Sequence, residues 1–170
     1  MHKSITNLIS IQNELKSSSK KDSQPKIIAV SKTFPQESIQ PLIDHGHSHF
    51  GENKVQEAVN KWTNIKVQNN EIKLHMIGKL QSNKVKFAVQ IFDYIHSVDS
   101  EKLAKKIAEE QNKQNKKLKL FIQVNIGDEE QKSGINVNQI EDLIIFSKKL
   151  NLNIIGLMCI PPTDEEPDNY

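Results

Sequence analysis

Short apolar, β-branched runs alternate with amphipathic stretches along most of the chain, and this alternation limits the fold more than any other feature. A helical pattern over residues 2–19 comes first, and helical periodicity follows each of the first five strand-like runs. Strands separated by helices pair in parallel, because the helix returns the chain to the same end of the sheet. The runs typical of strands are residues 26–30, 47–51, 73–77, 94–98, 118–125 and 153–160.

The order of these elements predicts a sheet that curls. Connections from one parallel strand to the next are almost always right-handed, so a curled sheet has all its helices on the outer side. A closed (β/α) barrel of this kind has eight strands, and six are visible in this sequence. We therefore expect one α/β domain over residues 1–170, a TIM-like barrel with six of its eight strands.

Capping residues predict where two of the helices begin and end. Ser38 is expected to cap the helix after the first strand, which puts Pro41 in the first turn, where a missing N–H costs nothing. Gly46 is expected to end that helix. Asp99 is expected to cap the helix after the fourth strand.

Charge and cysteine content argue against several classes of protein. The chain has 23 basic and 21 acidic residues, and this balance does not indicate a nucleic-acid partner. No apolar stretch reaches the length of a membrane span, and no secretory signal is visible. Cys159 is the single cysteine, so no internal disulfide is expected and a cytoplasmic location fits. All basic residues are lysines, so no guanidinium group is available to bind phosphate.

Functional side chains of α/β barrels lie at the carboxyl ends of the strands. Reading only those ends reduces the sequence to a short set of candidates. In chain order they are Ser31, Lys32, Thr33, Gly51, Glu52, Asn53, His75, Ile77, Gly78, His96, Ser97, Gln123, Val124, Asn125, Met158 and Cys159.

Lys32 is the candidate with the clearest chemistry. It follows an apolar run directly, so its stem is expected to begin inside the barrel. A lysine amine is almost wholly protonated near neutral pH, and burial without a carboxylate partner favours the neutral form. A neutral amine beside a bound aldehyde forms an imine. A lysine at a strand end is also, in many proteins, an ordinary solvated side chain, so position alone leaves both interpretations open.

The other candidates have structural interpretations of equal or greater weight. His75 lies on an apolar strand, where a histidine is commonly a core residue, and Asn53 is equally suited to cap the helix that follows it. Met158 and Cys159 are typical core fillers. The cluster His45, His47 and His49 is not expected to bind a metal, because no cysteine or fixed carboxylate completes a tetrahedral set.

Six segments then add information that position cannot supply. They read IIAVSKTFP, HFGENKVQEA, LHMIGKLQSNKVK, IHSVDSEKLA, LFIQVNIGDEEQKSGI and IIGLMCIPP, and they extend from about residue 26 to residue 162. In order and spacing they resemble the pyridoxal phosphate homeostasis family, also called the PLP-binding protein family. The resemblance implies a TIM-like barrel of the alanine racemase N-terminal type that binds pyridoxal 5′-phosphate (PLP). It also implies a carrier that supplies PLP to apo-enzymes without catalysis of its own.

The resemblance assigns roles to individual residues. The lysine of the AVSKT block, Lys32, corresponds to the residue that holds PLP as a Schiff base. The Gly-Glu-Asn block implies that Asn53 lies near the ring oxygen of the cofactor. The His-x-Ile-Gly block implies that His75 and Ile77 lie near the ring, and Met158 of the GLM block would line the same pocket.

The resemblance also shows a departure from the family pattern. Complete members, which are expected to be monomers, continue with two further strands, a Ser-x-Gly-Met-Ser segment and a Val-Arg-x-Gly segment that surround the phosphate and the pyridine nitrogen. Neither segment occurs in these 170 residues. Because phosphate contacts supply much of the affinity for such a cofactor, we expect this chain to bind PLP weakly.

Two alternatives stay open at this point. The first is a PLP-dependent amino-acid racemase or isomerase, in which Lys32 moves one proton and His75 or Cys159 moves another. Against it, Tyr94 and Tyr170 match no motif for a second tyrosine base. The second alternative is a degenerate fragment with weak or no PLP binding.

Overall fold

The protein is described here by a computed structural model that covers residues 2–18, 25–126 and 133–161. Strands and helices alternate along it as the sequence predicts. The strands are β1 (Ala29–Val30), β2 (His49–Glu52), β3 (Lys73–Met76), β4 (Tyr94–Val98), β5 (Lys119–Gln123) and β6 (Asn153–Met158). The α-helices are α1 (Lys3–Ser18), α2 (Gln36–Asp44), α3 (Val55–Gln68), α4 (Val85–Ile91), α5 (Glu101–Gln114) and α6 (Ile140–Lys149).

The six strands form one parallel sheet in the order β1-β2-β3-β4-β5-β6. Each strand pairs with the next one along the chain, as expected when a helix connects every pair. Within the described residues β1 and β6 do not pair with each other, so the sheet is open. The predicted α/β class and the number of strands are confirmed.

The two faces of the sheet differ in chemistry. One face is apolar and packs against the helices, as in the contact between Phe50 of β2 and Trp62 of α3, whose ring centroids are 4.8 Å apart. The opposite face, referred to below as the inner face, is rich in ring side chains. Because successive side chains of a strand alternate between faces, β2, β3 and β4 each supply both an apolar core residue and a ring on the inner face. The inner-face rings of β2 to β5 are His49, His75, Tyr94, His96 and Phe121.

Two of the predicted helix starts are wrong. The helix α2 begins at Gln36 with Pro35 as its N-cap, and Pro41 lies in its interior. The extended backbone of Pro35 allows its carbonyl to accept the N–H of Ser38, so the helix starts before Ser38 can cap it. The cap of α5 is Ser100 rather than Asp99, because the Ser100 hydroxyl accepts the Leu103 N–H at 3.3 Å.

The predicted end of α2 is close to the observed one. Gly46 follows the C-cap residue His45 with a φ of 89°, in the left-handed region that glycine adopts without strain. The first strand is shorter than predicted, with two residues in place of five, because only Ala29 and Val30 are in register with β2. None of the helices in the described ranges combines the length and apolar character needed to cross a membrane.

A buried carboxylate joins the first two strands to α3. Glu52, at the end of β2, is fully buried, and its Oε1 accepts three hydrogen bonds. The donors are the Ser31 hydroxyl at 2.8 Å, the Lys61 Nζ at 2.9 Å and the Trp62 indole N–H at 2.9 Å. Burying a carboxylate costs free energy, and donors and an opposite charge close to it offset part of that cost. This group of contacts is called the Glu52 cluster below.

The contacts of the Glu52 cluster predict that removing its cation, Lys61, strongly lowers the free energy of unfolding. Lys61→Met should lower the free energy of unfolding by about 3 kcal/mol, because it leaves the Glu52 carboxylate buried without a counter-charge. Urea unfolding followed by Trp62 fluorescence measures the change. The matched control is Lys106→Met, which breaks the pairs with Glu109 and Glu110. It should cost less than about 1 kcal/mol, because Glu110 keeps Lys113 as its partner. Equal effects of the two variants would contradict the role given to the cluster.

Candidate functional site

Three of the predicted site residues lie at the carboxyl edge of neighbouring strands. Lys32 follows β1, Asn53 follows β2 and Ile77 follows β3. Parallel pairing of these strands places the three residues along one edge of the sheet. The Ile77 side chain lies against Gly51, 3.1 Å from the position that a Cβ there would take. The sheet therefore places three of the five predicted site residues along one edge.

Lys32 lies in a tight turn just beyond β1. The turn is closed by the N–H of Phe34, which donates to the carbonyl of Ser31 at 3.2 Å. The Lys32 side chain is exposed, so the predicted burial of its stem inside the barrel is wrong for this open sheet. The backbone at Thr33 is in the left-handed region, with a φ of 66°, which is unusual for a β-branched residue.

Asn53 does not cap the helix that follows it, so that interpretation is wrong. The N-cap residue of α3 is Lys54. The Asn53 Oδ1 is buried and, among the described residues, has no hydrogen-bond partner. A buried amide oxygen without a donor costs free energy, so an orphan of this kind indicates either a bound group or a functional role.

Glycine at position 78 allows the ends of β2 and β3 to approach each other closely. A Cβ at Gly78 would lie 2.5 Å from the backbone oxygen of Asn53 and 2.8 Å from its Cα. Gly78 and Ile77, together with Gln123 and Asn125, also form part of the wall of a cavity of about 240 Å³ at this edge. Asn53 is not part of that wall, because it lines a separate cavity of about 380 Å³ together with Lys54, Met76 and Lys79.

Met158 lies at the end of β6. It pairs with Gln123 of β5, and its carbonyl accepts the Val124 N–H at 2.8 Å. Its side chain is half-buried, whereas Cys159 is exposed. Two strands, β4 and β5, thus lie between β6 and the strand that precedes Ile77, and the predicted place of Met158 in a shared pocket stays a prediction.

His75 is the centre of a hydrogen-bonded chain of three imidazoles on the inner face. Its Nε2 lies 2.9 Å from the Nδ1 of His49, and its Nδ1 lies 2.9 Å from the Nε2 of His96. The ring of Tyr94 stacks on His75 with a centroid distance of 4.1 Å. We call His49, His75 and His96 the histidine chain.

Burial keeps His75 and His96 neutral. Desolvation lowers the pKa of His75 to about 3, and the neighbouring His96 and His49 add to the shift. Desolvation also lowers the pKa of His96 to about 4. The pKa of His49 is lowered as well, first by burial and then by repulsion from Lys26. In a neutral imidazole one ring nitrogen donates and the other accepts, which is what a chain of this kind requires.

Two residues near Lys32 were not predicted from the sequence, because they lie on a helix and only the ends of strands were considered. Glu57 and Lys61 of α3 approach the turn that carries Lys32: Glu57 Oε1 accepts the Thr33 N–H at 2.9 Å, and Lys61 Nζ donates to the Ser31 carbonyl at 2.9 Å. Their spacing of four residues is a visible signal, but it is typical of any surface ion pair. In the described part of the chain, no group of three or more His, Cys, Asp and Glu side chains is arranged to hold a metal ion.

Comparison with protein families supports the fold and its lineage. Residues 7–170 match the family model for the alanine racemase N-terminal domain. The chain is 40% identical over 157 residues to the pyridoxal phosphate homeostasis protein of Pasteurella multocida, covering 91% of this chain and 67% of that protein. It is 37% identical over 167 residues to the protein of that name from Haemophilus influenzae, covering 93% and 69%. The chain thus spans about two thirds of the length of these curated relatives.

Solved structures agree with this result. PipY of Synechococcus elongatus, solved without PLP, has a TM-score of 0.83 and 34% identity, covering 96% of this chain and 74% of PipY. PipY with PLP bound has a TM-score of 0.79 and 33% identity, covering 92% and 72%. Alanine racemase of Clostridium difficile is similar in fold alone, with a TM-score of 0.70 and 16% identity, covering 95% and 42%. The barrel type that the sequence predicts is confirmed.

The neutral histidine chain predicts that acid destabilises the fold. The folded pKa values of His75 and His96 lie below the ordinary value of 6.5, so only the unfolded chain takes up these protons as the pH falls from 6.5 toward 4. Each such proton lowers the free energy of unfolding by about 1.4 kcal/mol per pH unit. The contribution is fully present above pH 6.5 and is lost below it.

Urea unfolding at pH 7 and pH 5 measures this loss. The variant His75→Gln removes one of the two groups. Between pH 7 and pH 5 its free energy of unfolding should therefore fall by roughly 2 kcal/mol less than that of the parent chain. The matched control is His2→Gln at an exposed position, which should leave the loss unchanged. An unchanged pH dependence in His75→Gln would contradict the assignment.

Proposed function

We propose, on the premise that this chain belongs to the pyridoxal phosphate homeostasis family of alanine racemase N-terminal domain proteins, that it binds PLP. We further infer that residues 1–170 act as one PLP-binding domain in the cytoplasm. In this proposal the chain carries PLP as a Schiff base on Lys32 and supplies it to apo-enzymes, with no catalysis of its own. The family relationship makes PLP the candidate ligand, and the geometry of the carboxyl edge supports the assignment of residues.

The observation that carries the proposal is the unpartnered Oδ1 of Asn53. It is buried at the edge that also bears Lys32, where barrels of this kind bind ligands, and Asn53 lines a cavity of about 380 Å³. A PLP molecule at this edge would bring a ring hydroxyl, which is a donor that the amide oxygen lacks. The residues present therefore fit the ring end of the cofactor.

Each residue of the site has a distinct task in this proposal. PLP supplies an aldehyde that an uncharged amine converts to a Schiff base. Lys32 presents that amine from an exposed turn, where a ligand entering from solvent reaches it without displacing core residues. Ile77 provides apolar surface beside the ring, and Asn53 orients the ring through its amide. Met158 would close the pocket from β6.

His75 is the weakest point of the racemase alternative. A second proton-transfer base needs a ring nitrogen that is free to take up a proton. Both ring nitrogens of His75 are in hydrogen bonds to other histidines, and its pKa is lowered to about 3. We therefore assign His75 to the floor of the site, below the ring, and not to proton transfer. These observations favour a carrier over an enzyme.

The proposal predicts a covalent label at a single lysine. Incubation with PLP, reduction by borohydride and peptide mass mapping should find the cofactor mass on Lys32. Lys32→Ala should abolish the absorbance change of the Schiff base. Lys86→Ala is the matched control on the exposed face of α4 and should behave as the parent chain. A label spread over many of the 23 lysines without preference for Lys32 would contradict the proposal.

Delivery to apo-enzymes is tested separately. The PLP-loaded chain should restore activity to an apo PLP-enzyme even when a phosphatase destroys free PLP in the mixture. Borohydride reduction makes the bond between PLP and Lys32 permanent, so the reduced chain should restore no activity to the apo-enzyme. If both preparations fail while Lys32 is labelled, the chain binds PLP but does not deliver it.

A further inference from the structure

We propose that Glu57 and Lys61 of α3 are positioning residues for Lys32. They hold the backbone on the two sides of this lysine, so that its side chain leaves the turn in one direction. The inference rests on the proposed role of Lys32 and extends it to residues that do not touch the cofactor.

The turn that carries Lys32 is fixed on both sides by side chains from the same helix. On one side, the Lys61 ammonium donates to the Ser31 carbonyl at 2.9 Å. On the other side, the Glu57 carboxylate accepts the Thr33 N–H at 2.9 Å. The residue between these two anchors is Lys32, whose own side chain is exposed. The anchors therefore fix the backbone around Lys32 and leave its amine accessible.

The geometry of the turn explains why an anchor is needed. Thr33 occupies the third position of the turn from Ser31 to Phe34, and its φ is 66°. Glycine or asparagine is usual where a turn needs a positive φ, and a threonine there is strained. Such a residue stays in the left-handed region only where its surroundings hold it. The charge-assisted bond from Thr33 N–H to Glu57 is the contact that does so.

The two anchors are connected to each other and to the protein interior. Lys61 Nζ lies 3.6 Å from Glu57 Oε1 and 2.9 Å from Glu52 Oε1. The Lys61 side chain is 9% exposed, so its ammonium is held by these carboxylates rather than by solvent. Ser31 is bound a second time, because its hydroxyl donates to Glu52. The position of Lys32 is thus set by a charge network that extends from the buried carboxylate of Glu52 to the partly exposed carboxylate of Glu57.

A fixed backbone matters for a residue that must form a covalent bond. A lysine side chain has many rotamers, and a mobile backbone would add further freedom that has to be lost when the bond forms. Holding Ser31 and Thr33 removes the backbone part of that cost in advance. The expected effect of losing one anchor is therefore weaker formation of the bond to PLP, not the loss of the fold.

The experiment compares variants at Glu57 and Thr33. Glu57→Ala removes the acceptor and should raise the PLP concentration for half-maximal labelling of Lys32 about tenfold. Glu57→Gln keeps an amide oxygen that accepts the Thr33 N–H, so it should restore most of the labelling. Thr33→Asn in the Glu57→Ala background should also restore it, because asparagine adopts a positive φ with less strain. Glu101→Ala, in the first turn of α5, is the matched control and should have no effect.

A second measurement makes no use of PLP. Hydrogen exchange of the Thr33 amide, followed by NMR in the free chain, should accelerate about tenfold in Glu57→Ala and return toward the parent rate in Glu57→Gln. Trp62 fluorescence reports whether each variant keeps the Glu52 cluster.

The outcomes separate the two proposals. If the parent chain is not labelled at Lys32, the proposed function fails, while the exchange rate of the Thr33 amide still decides whether Glu57 holds the turn. Unchanged labelling and exchange in Glu57→Ala would overturn the positioning role. Equal loss of labelling in Glu57→Ala and Glu57→Gln, without faster exchange, would also overturn it, since the charge alone would then matter.

Discussion

The ion pair between Glu52 and Lys61 is the interaction on which the candidate site depends. Both groups are almost completely removed from solvent, and each satisfies several partners at the place where β1, β2 and α3 meet. Buried pairs of this kind are weak sources of stability compared with apolar packing, but they strongly restrict which arrangement of the chain is acceptable. Here the restriction falls on the residues just before Lys32. The pair therefore also fixes the backbone from which the Lys32 side chain leaves.

The two faces of the sheet differ in the side chains that they carry. The outer face, with Phe50 against Trp62, provides the apolar core that holds the helices. The inner face instead carries the histidine chain, whose rings hydrogen-bond to one another, and Tyr94, which stacks on His75 and whose hydroxyl accepts from Lys119 at 3.4 Å. At the carboxyl edge of the same sheet, Asn53 Oδ1 is a buried acceptor that has no partner among the described residues. A ligand is the natural partner for an atom in that position.

The sequence predicts the order of elements, the parallel sheet and the edge where the candidate residues lie, because these follow from hydrophobic periodicity and from the geometry of strand–helix–strand units. Helix starts are less predictable, since Ser38 and Asp99 are good caps in isolation and lose to neighbours that the local backbone favours. Lys32, Asn53 and Ile77 are found by their position after strands, and their roles come from the family resemblance. The anchors on α3 and the histidine chain are not found this way. They depend on which turn of a helix faces a loop and on the register between strands, and neither is written in local sequence patterns.

The hydrogen bonds of the histidine chain have a consequence for the three rings taken together. If His75 carries its proton on Nε2, it donates to His49 Nδ1, and its own Nδ1 must then accept from Nε2 of His96. If it carries the proton on Nδ1, both bonds reverse. Each neutral ring must therefore adopt the same tautomer as the other two, all Nε2–H or all Nδ1–H. A molecule that binds near one of these rings and favours one of its tautomers would therefore change the tautomer of all three rings, on three different strands, at once.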